Sequence, residues 1–168
     1  MNKEREPIVV VTTGGTIDKV YFDALSAFQV GEPTVLRLLH TAQATLPFQV
    51  IELLRKDSLE LTEEDRERLC QQVASLRVSR VIVTHGTDTM TESAKALTRV
   101  SGKTIVLTGA LAPARFQESD APFNLGMAFA AVQVVPPGVY IAMSGQVFRA
   151  GQVRKDRENG RFVRLDET

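Results

Sequence analysis

Continuous apolar runs alternate along this chain with stretches in which apolar residues recur at helical spacing. Residues 8–12 (IVVVT) predict a strand, followed by a long loop to about Glu32. Pro33 suits the first turn of a helix in which Val35, Leu38 and Leu39 share one face. FQVIELL (48–54) predicts a second strand. Thr62 is then placed to cap a helix whose first turn holds Glu63, Glu64 and Asp65, acids that the helix dipole favours there. RVIVT (80–84) reads as a strand, residues 89–99 as a helix, TIVLT (104–108) as a strand, and Ala121 to Val134 as a helix. Pro136 and Pro137 end that helix, and GVYIAMS (138–144) is the fifth strand. Beyond Gly145 the pattern weakens, so that segment is expected to form a hairpin or an arm packed on a neighbour.

Strands this continuously apolar, alternating with helices, indicate a mostly parallel sheet covered on both faces, a three-layer α/β/α arrangement. The chain is read as one domain over residues 1–168. Right-handed crossovers bring every strand's C-terminal end to one edge, where open α/β sheets bind ligands near a switch in strand order. The segments expected at that edge are Thr13–Thr16, Asp57–Ser58, Thr84–Asp88, Thr108–Arg115 and Ser144–Gln146.

Composition narrows the function classes. Lys+Arg and Asp+Glu balance at 20 each, which gives no support for a nucleic-acid binder. The locally basic tail from Arg149 to Arg164 is expected to be a solvated arm. The one cysteine, Cys70, permits no internal disulfide and no cysteine cluster, and beside Leu69, Val73 and Leu76 it reads as a packed thiol. No His/Cys/Asp cluster has ligand spacing, so no metal is expected. MNKEREP lacks the apolar region of a signal peptide, and no run of about 18 apolar residues occurs. A cytoplasmic protein with no membrane association is expected.

Two strands end in similar loops. TTGGTID (12–18) supplies two glycines, which let backbone approach a ligand closely, and the hydroxyls of Thr12, Thr13 and Thr16. It lacks the Gly-Lys-Ser/Thr of a phosphate loop and the spacing of a dinucleotide fingerprint, and by itself it fits a plain tight turn equally well. THGTDTM (84–90) offers His85, Thr87, Asp88 and Thr89. A nucleophilic threonine needs a nearby base or charge, which Asp88 or a desolvated lysine would supply. A Ser-His-Asp arrangement on His85 is the other possibility these residues leave open.

Taken together, TGGTI (13–17) and HGTDTM (85–90) resemble the N-terminal catalytic domain of the bacterial-type L-asparaginases. KDSLELTEED (56–65), VLTGALAPARFQESDAPFNL (106–125) and GVYIAMSGQVFRAGQVRK (138–155) extend the likeness over nearly the whole chain. The resemblance implies a Rossmann/flavodoxin-like fold and hydrolysis of L-asparagine to L-aspartate and ammonia, with no cofactor. It implies that Thr16 is the primary nucleophile and that Lys155 and Asp88 polarise the Thr87 hydroxyl. Ser58 would hold the substrate α-carboxylate with backbone N–H groups near Gly86 and Thr87. Asp88 would also pair with the α-amino group, and Gly15, Asp57 and Ala110 would line the pocket. The family's first-loop tyrosine falls by spacing on Phe28, so Tyr21 is the residue expected to serve in its place.

The chain also departs from that pattern. Leu59 stands where the family commonly has a polar residue. The family's second domain has no counterpart in these residues, so a compact single-domain enzyme is expected. It would self-associate as a dimer or tetramer, through its helical faces and basic arm, to close the site. Two alternatives keep the pocket: an amidohydrolase of glutamine or another amide, and a non-catalytic sensor of asparagine or aspartate. Retention of Lys155 with Thr16, Thr87 and Asp88 favours turnover, because binding alone does not require the lysine.

Overall fold

The structure, a computed structural model, describes residues 5–166. In chain order the elements are β1 (Ile8–Gly14), β2 (Lys19–Phe22), β3 (Ala27–Val30), α1 (Val35–Thr41), β4 (Phe48–Lys56), α2 (Glu63–Ser75) and β5 (Arg80–Thr84). They continue with α3 (Met90–Leu97), β6 (Thr104–Thr108), α4 (Ala121–Val134), β7 (Gly138–Met143), β8 (Gln146–Arg149), β9 (Val153–Asp156) and β10 (Arg161–Arg164). One sheet has the order β4-β1-β5-β6-β7-β8; its first five strands are parallel and β8 is antiparallel. The first parallel strand lies between the second and third, a flavodoxin-like order whose switch point falls at the ends of β1 and β5.

Side chains alternate across each strand and divide the core in two. Val9, Val11, Val81, Val83, Ile105 and Leu107 pack against Leu69, Val73, Ala94 and Leu97 of α2 and α3. Ile8, Val10, Ile82 and Val106 pack on the other face against Val35, Leu39, Leu125 and Ala128 of α1 and α4. Helix α2 starts where its sequence demands: the Thr62 hydroxyl accepts from the Asp65 N–H (3.2 Å), and the Asp65 carboxylate accepts from the Thr62 N–H (3.0 Å).

The expectation of uniformly right-handed crossovers fails at one connection. From β4 to β7 each crossover steps the same way across the sheet, yet α2 and α3 cover one face and α4 the other. The β6–α4–β7 crossover therefore has the opposite hand to its predecessors, an uncommon arrangement. Its cause is occupancy. Phe148 of β8, Val153 of β9 and Phe162 of β10 pack on the α3 side beside Ile141 and Met143, in the space that a helix of the usual hand would fill. The tail is consequently no solvated arm: its arginines point outward while Phe148, Val153 and Phe162 are 3 %, 5 % and 1 % exposed. Strand alternation, not a charged run, was the signal in FVRL and QVRK.

Other differences are local. The expected loop to Glu32 contains the β2–β3 hairpin, whose outward-facing residues carry no core periodicity. Helix α1 begins after Thr34 rather than at Pro33, α3 is shorter than 89–99, and β4 runs on to Lys56. Among the described residues, no helix is long and apolar enough to cross a membrane. Phe162→Ala should lower the unfolding free energy by about 3–5 kcal/mol, read by urea denaturation; a loss under about 1 kcal/mol would mean that β10 does not belong to the core.

Candidate active site

The cleft at the strand ends is built first from backbone. Gly15 follows β1 with a φ of 90°, a conformation that L side chains rarely adopt. A Cβ on it would collide with the backbone N and Cα of Gly86, and a Cβ on Gly86 would lie 2.6 Å from the Cβ and 2.7 Å from the Oγ of Ser58. The loops after β1, β5 and β4 thus meet at distances that leave no room for a side chain at either glycine. Hydrogen bonds secure the approach: the Gly15 N–H donates to the Lys56 carbonyl (2.9 Å), and the Thr13 hydroxyl to the Thr84 carbonyl (2.8 Å). The Thr89 hydroxyl donates to the Ser58 carbonyl (2.8 Å).

Onto this frame the hairpin β9–β10 brings Lys155. Its Nζ donates to Thr87 Oγ1 at 2.8 Å and to Asp88 Oδ1 at 2.9 Å. The lysine side chain is 15 % exposed and the aspartate 35 %, so the pair is shielded but not sealed from solvent. Thr87 is 6 % exposed and Ser58 1 %. Thr16 opens a short 3-10 turn, Thr16–Asp18, that directly follows Gly15; it is half-buried, and its hydroxyl has no hydrogen-bond partner among the described residues. The arrangement therefore offers one unengaged hydroxyl, one hydroxyl polarised by an ammonium group, a carboxylate, and backbone N–H groups around a glycine turn. That set can bind a zwitterion and carry out acyl transfer without a metal.

The other expected site residues fall in different situations. Burial opposes ionisation of Asp57, but hydrogen bonds from Lys19 and the Leu59 N–H outweigh it and hold its carboxyl below the usual range. That carboxylate is engaged by Lys19 Nζ at 2.7 Å and by its role as cap of the turn carrying Ser58. Ala110 is 1 % exposed and packs with Ile17, Ala114 and Ala121. Tyr21 and Phe28 are cross-strand partners in the β2–β3 hairpin with ring centroids 5.3 Å apart, so the two candidates stand side by side. Tyr21 is 54 % exposed.

A triad on His85 is ruled out by geometry. His85 is fully buried; its Nδ1 lies 2.7 Å from the Gly86 carbonyl and its Nε2 2.7 Å from the Ser93 hydroxyl. The carbonyl can only accept, so Nδ1 carries the proton and Nε2 accepts from Ser93. The imidazole is spent on holding the loop. Sequence reading also passed over Asp120, whose carboxylate accepts from the Leu111 (2.9 Å) and Ala112 (3.0 Å) N–H groups, and Asn124, whose Nδ2 donates to the Gly109 carbonyl (2.9 Å). These set the loop that carries Ala110; their partners lie many residues away, beyond the reach of local pattern. Nor do all strand-end threonines face the cleft. The Thr12 and Thr84 hydroxyls, on paired positions of β1 and β5, are buried on the α1/α4 face and have no partner among the described residues.

Comparison with known proteins supplies the family. The family model described as "Asparaginase, N-terminal" matches residues 7–161. The chain belongs to the asparaginase family. It is 31 % identical over 162 residues to the glutaminase-asparaginase of Acinetobacter glutaminasificans, covering 88 % of this chain and 49 % of that protein. It is 30 % identical over 158 residues to the L-asparaginase of Thermococcus kodakarensis, covering 88 % and 47 %. The solved structure of the thermostable L-asparaginase from T. kodakarensis superposes with a TM-score of 0.84 at 25 % identity, over 96 % of this chain and 52 % of that one. The chain thus spans about half the length of the curated relatives it matches.

Two buried groups near the site titrate in opposite senses. Burial pushes the His85 pKa down to about 4 from its ordinary value of 6.5. Its stabilising contribution is complete above pH 6.5 and is lost as pH falls from there to 4. Burial pushes the Asp18 carboxyl up to about 6 from 3.8, so its contribution is complete below 3.8 and lost as pH rises through 6. The slopes oppose each other between those values. Asp18→Asn removes one of them, and the variant should lose stability more steeply than the parent as pH falls from about 6 to 4, read by urea denaturation across that range. Equal slopes would refute the assignment.

Proposed function

We propose that this asparaginase-family chain is an amidohydrolase that converts L-asparagine to L-aspartate and ammonia through a threonine nucleophile. The carrying observation is the position of Lys155 Nζ, within hydrogen-bonding distance of both Thr87 Oγ1 and Asp88 Oδ1, beside a turn whose Thr16 hydroxyl is unengaged. Family membership supports the same reading. The Thr16 oxygen attacks the side-chain amide carbon, the C–N bond breaks, and ammonia leaves carrying the proton from Thr16. The β-aspartyl ester of Thr16 is then hydrolysed by water, which returns the proton to Thr16 and releases aspartate.

In this reading each remaining group has one task. Ser58 and the N–H groups near Gly86 and Thr87 take the substrate carboxylate, and Asp88 takes its ammonium. Gly15, packed against Gly86, lines the pocket with backbone, and Ala110 and Asp57 shape its wall. The Thr87 hydroxyl, held by the Lys155 ammonium, is a donor aimed at developing negative charge; one such donor is typically worth about 3 kcal/mol. Tyr21 stands on the hairpin that follows the Thr16 turn and is the aromatic hydroxyl available from it. No cofactor enters the scheme. Glutamine is the second substrate to test, because one relative is named a glutaminase-asparaginase. The protein self-associates in this scheme as a dimer or tetramer. Its support is the large apolar surface left open at this edge, where Tyr21, Phe22, Phe28, Phe116 and Leu59 are each nearly half or more exposed.

Thr16→Ala and Lys155→Ala should each lower kcat for asparagine by at least about 100-fold with the fold intact, read by coupled ammonia release and circular dichroism. A Thr16→Ala protein that kept the parental rate would refute the nucleophile. Binding of asparagine in a calorimeter without ammonia release would favour the sensor reading instead.

A further inference from the structure

Asp18 lies two residues beyond Thr16, 1 % exposed, and no step of the proposed reaction uses it. Its carboxylate oxygen Oδ1 accepts two hydrogen bonds from one residue, the Thr34 N–H at 2.8 Å and the Thr34 hydroxyl at 2.9 Å. Thr34 is the N-cap residue of α1 and makes no side-chain cap bond of its own, so the acid satisfies an otherwise orphan donor at the helix start from 16 residues away. The Asp18 main chain is engaged as well. Its carbonyl accepts from the Gly31 N–H at 2.8 Å, and its N–H donates to the Gly15 carbonyl at 3.2 Å. Around it, Ile17 is fully buried, and its carbonyl accepts from the Ala114 N–H at 3.0 Å.

These bonds close the base of the excursion that carries β2 and β3, and they act on the three-residue turn Thr16–Asp18. The Thr16 hydroxyl itself has no partner among the described residues, so its direction is set by the turn. We propose that Asp18 is the positioning residue for Thr16: by clasping Thr34 it anchors the turn to helix α1 and so aims the Thr16 hydroxyl into the cleft. The inference rests on the amidohydrolase reading for its catalytic consequence, but not for its structural one.

The clasp uses a carboxylate in a setting that disfavours charge. Burial is the main cause of its raised pKa, partly offset by the Thr34 bonds; Glu52 of β4 raises it further and Arg115 of the loop after β6 lowers it. An acceptor that needed no charge would do the same geometric work at less cost, which makes asparagine the informative replacement. Asp18→Asn keeps an oxygen for the Thr34 donors and removes the ionisation.

The test is made on the intact chain with methyl-labelled threonine, together with steady-state ammonia release. In the parent, the Thr16 methyl resonance should titrate with a midpoint near pH 6, and Asp18→Asn should abolish that titration. Asp18→Ala should displace the resonance and lower kcat at least about tenfold with KM changed less than about threefold, while Asp18→Asn restores most of kcat. Thr34→Val removes the hydroxyl donor from the other side of the clasp and should shift the resonance in the same direction, which keeps the test usable if Asp18→Ala does not fold. A Thr16 resonance indifferent to Asp18→Ala and Thr34→Val, or an Asp18→Ala enzyme with the parental kcat, would overturn the proposal. Displaced resonances with no ammonia release from any form would uphold the clasp and overturn the amidohydrolase reading.

Discussion

Everything in the cleft depends on three strand-end loops coming into close contact. Gly15 lies against Gly86 and Gly86 against Ser58, with no room for a methyl group at either glycine. Because these loops leave parallel strands β1, β5 and β4, their separation is already set by the spacing of the sheet; the glycines remove the last side chains between them. Thr16 and Thr87 directly follow the two glycines of this contact, and Ser58 is its third member. Hydrogen bonds between the loops, as from Thr89 to Ser58 and from Gly15 to Lys56, hold the frame together alongside those within each loop.

The cation reaches this frame from the far end of the chain. The hairpin β9–β10 is fastened to the core by Val153 and Phe162 and tied to the turn after β7 by the bond from the Phe162 N–H to the Ser144 hydroxyl at 2.9 Å. Lys155, on the same strand as Val153 but two residues on, then lies over the loop that starts α3. The same hairpin takes the space on that face which a crossover helix of the usual hand would need, and α4 covers the opposite face. Placing the lysine and reversing the crossover are thus one packing event. A shielded ammonium–carboxylate pair contributes little net stability against its desolvation.

Buried polar groups around the site divide into those that hold loops and those that face the cleft. His85, Asp120 and Asn124 belong to the first kind, each bonded to the main chain of the loops. Residue type alone misleads on this point. The histidine is the most familiar catalytic residue in the THGTDTM loop, yet it is neutral and enclosed, whereas Thr87 and Asp88 beside it meet Lys155.

Much was legible in the residues alone. The apolar runs and their helical interludes specified the parallel three-layer fold, because strand and helix periodicities are local properties of neighbouring side chains. The glycine-hydroxyl loops marked strand ends that come into contact, and the Thr62 cap marked where α2 begins. Long-range packing settled the rest. The hand of the β6–α4–β7 crossover and the burial of the basic tail's apolar residues turn on contacts between segments far apart in the chain. So does the union of Lys155 with Thr87 and Asp88, which the family resemblance implied but local pattern could not. The pairing of Tyr21 with Phe28 across a hairpin and the clasp from Asp18 to Thr34 likewise leave no trace in local periodicity. Local pattern records what a residue prefers; which distant group it meets depends on how the two layers compete for the same face of the sheet.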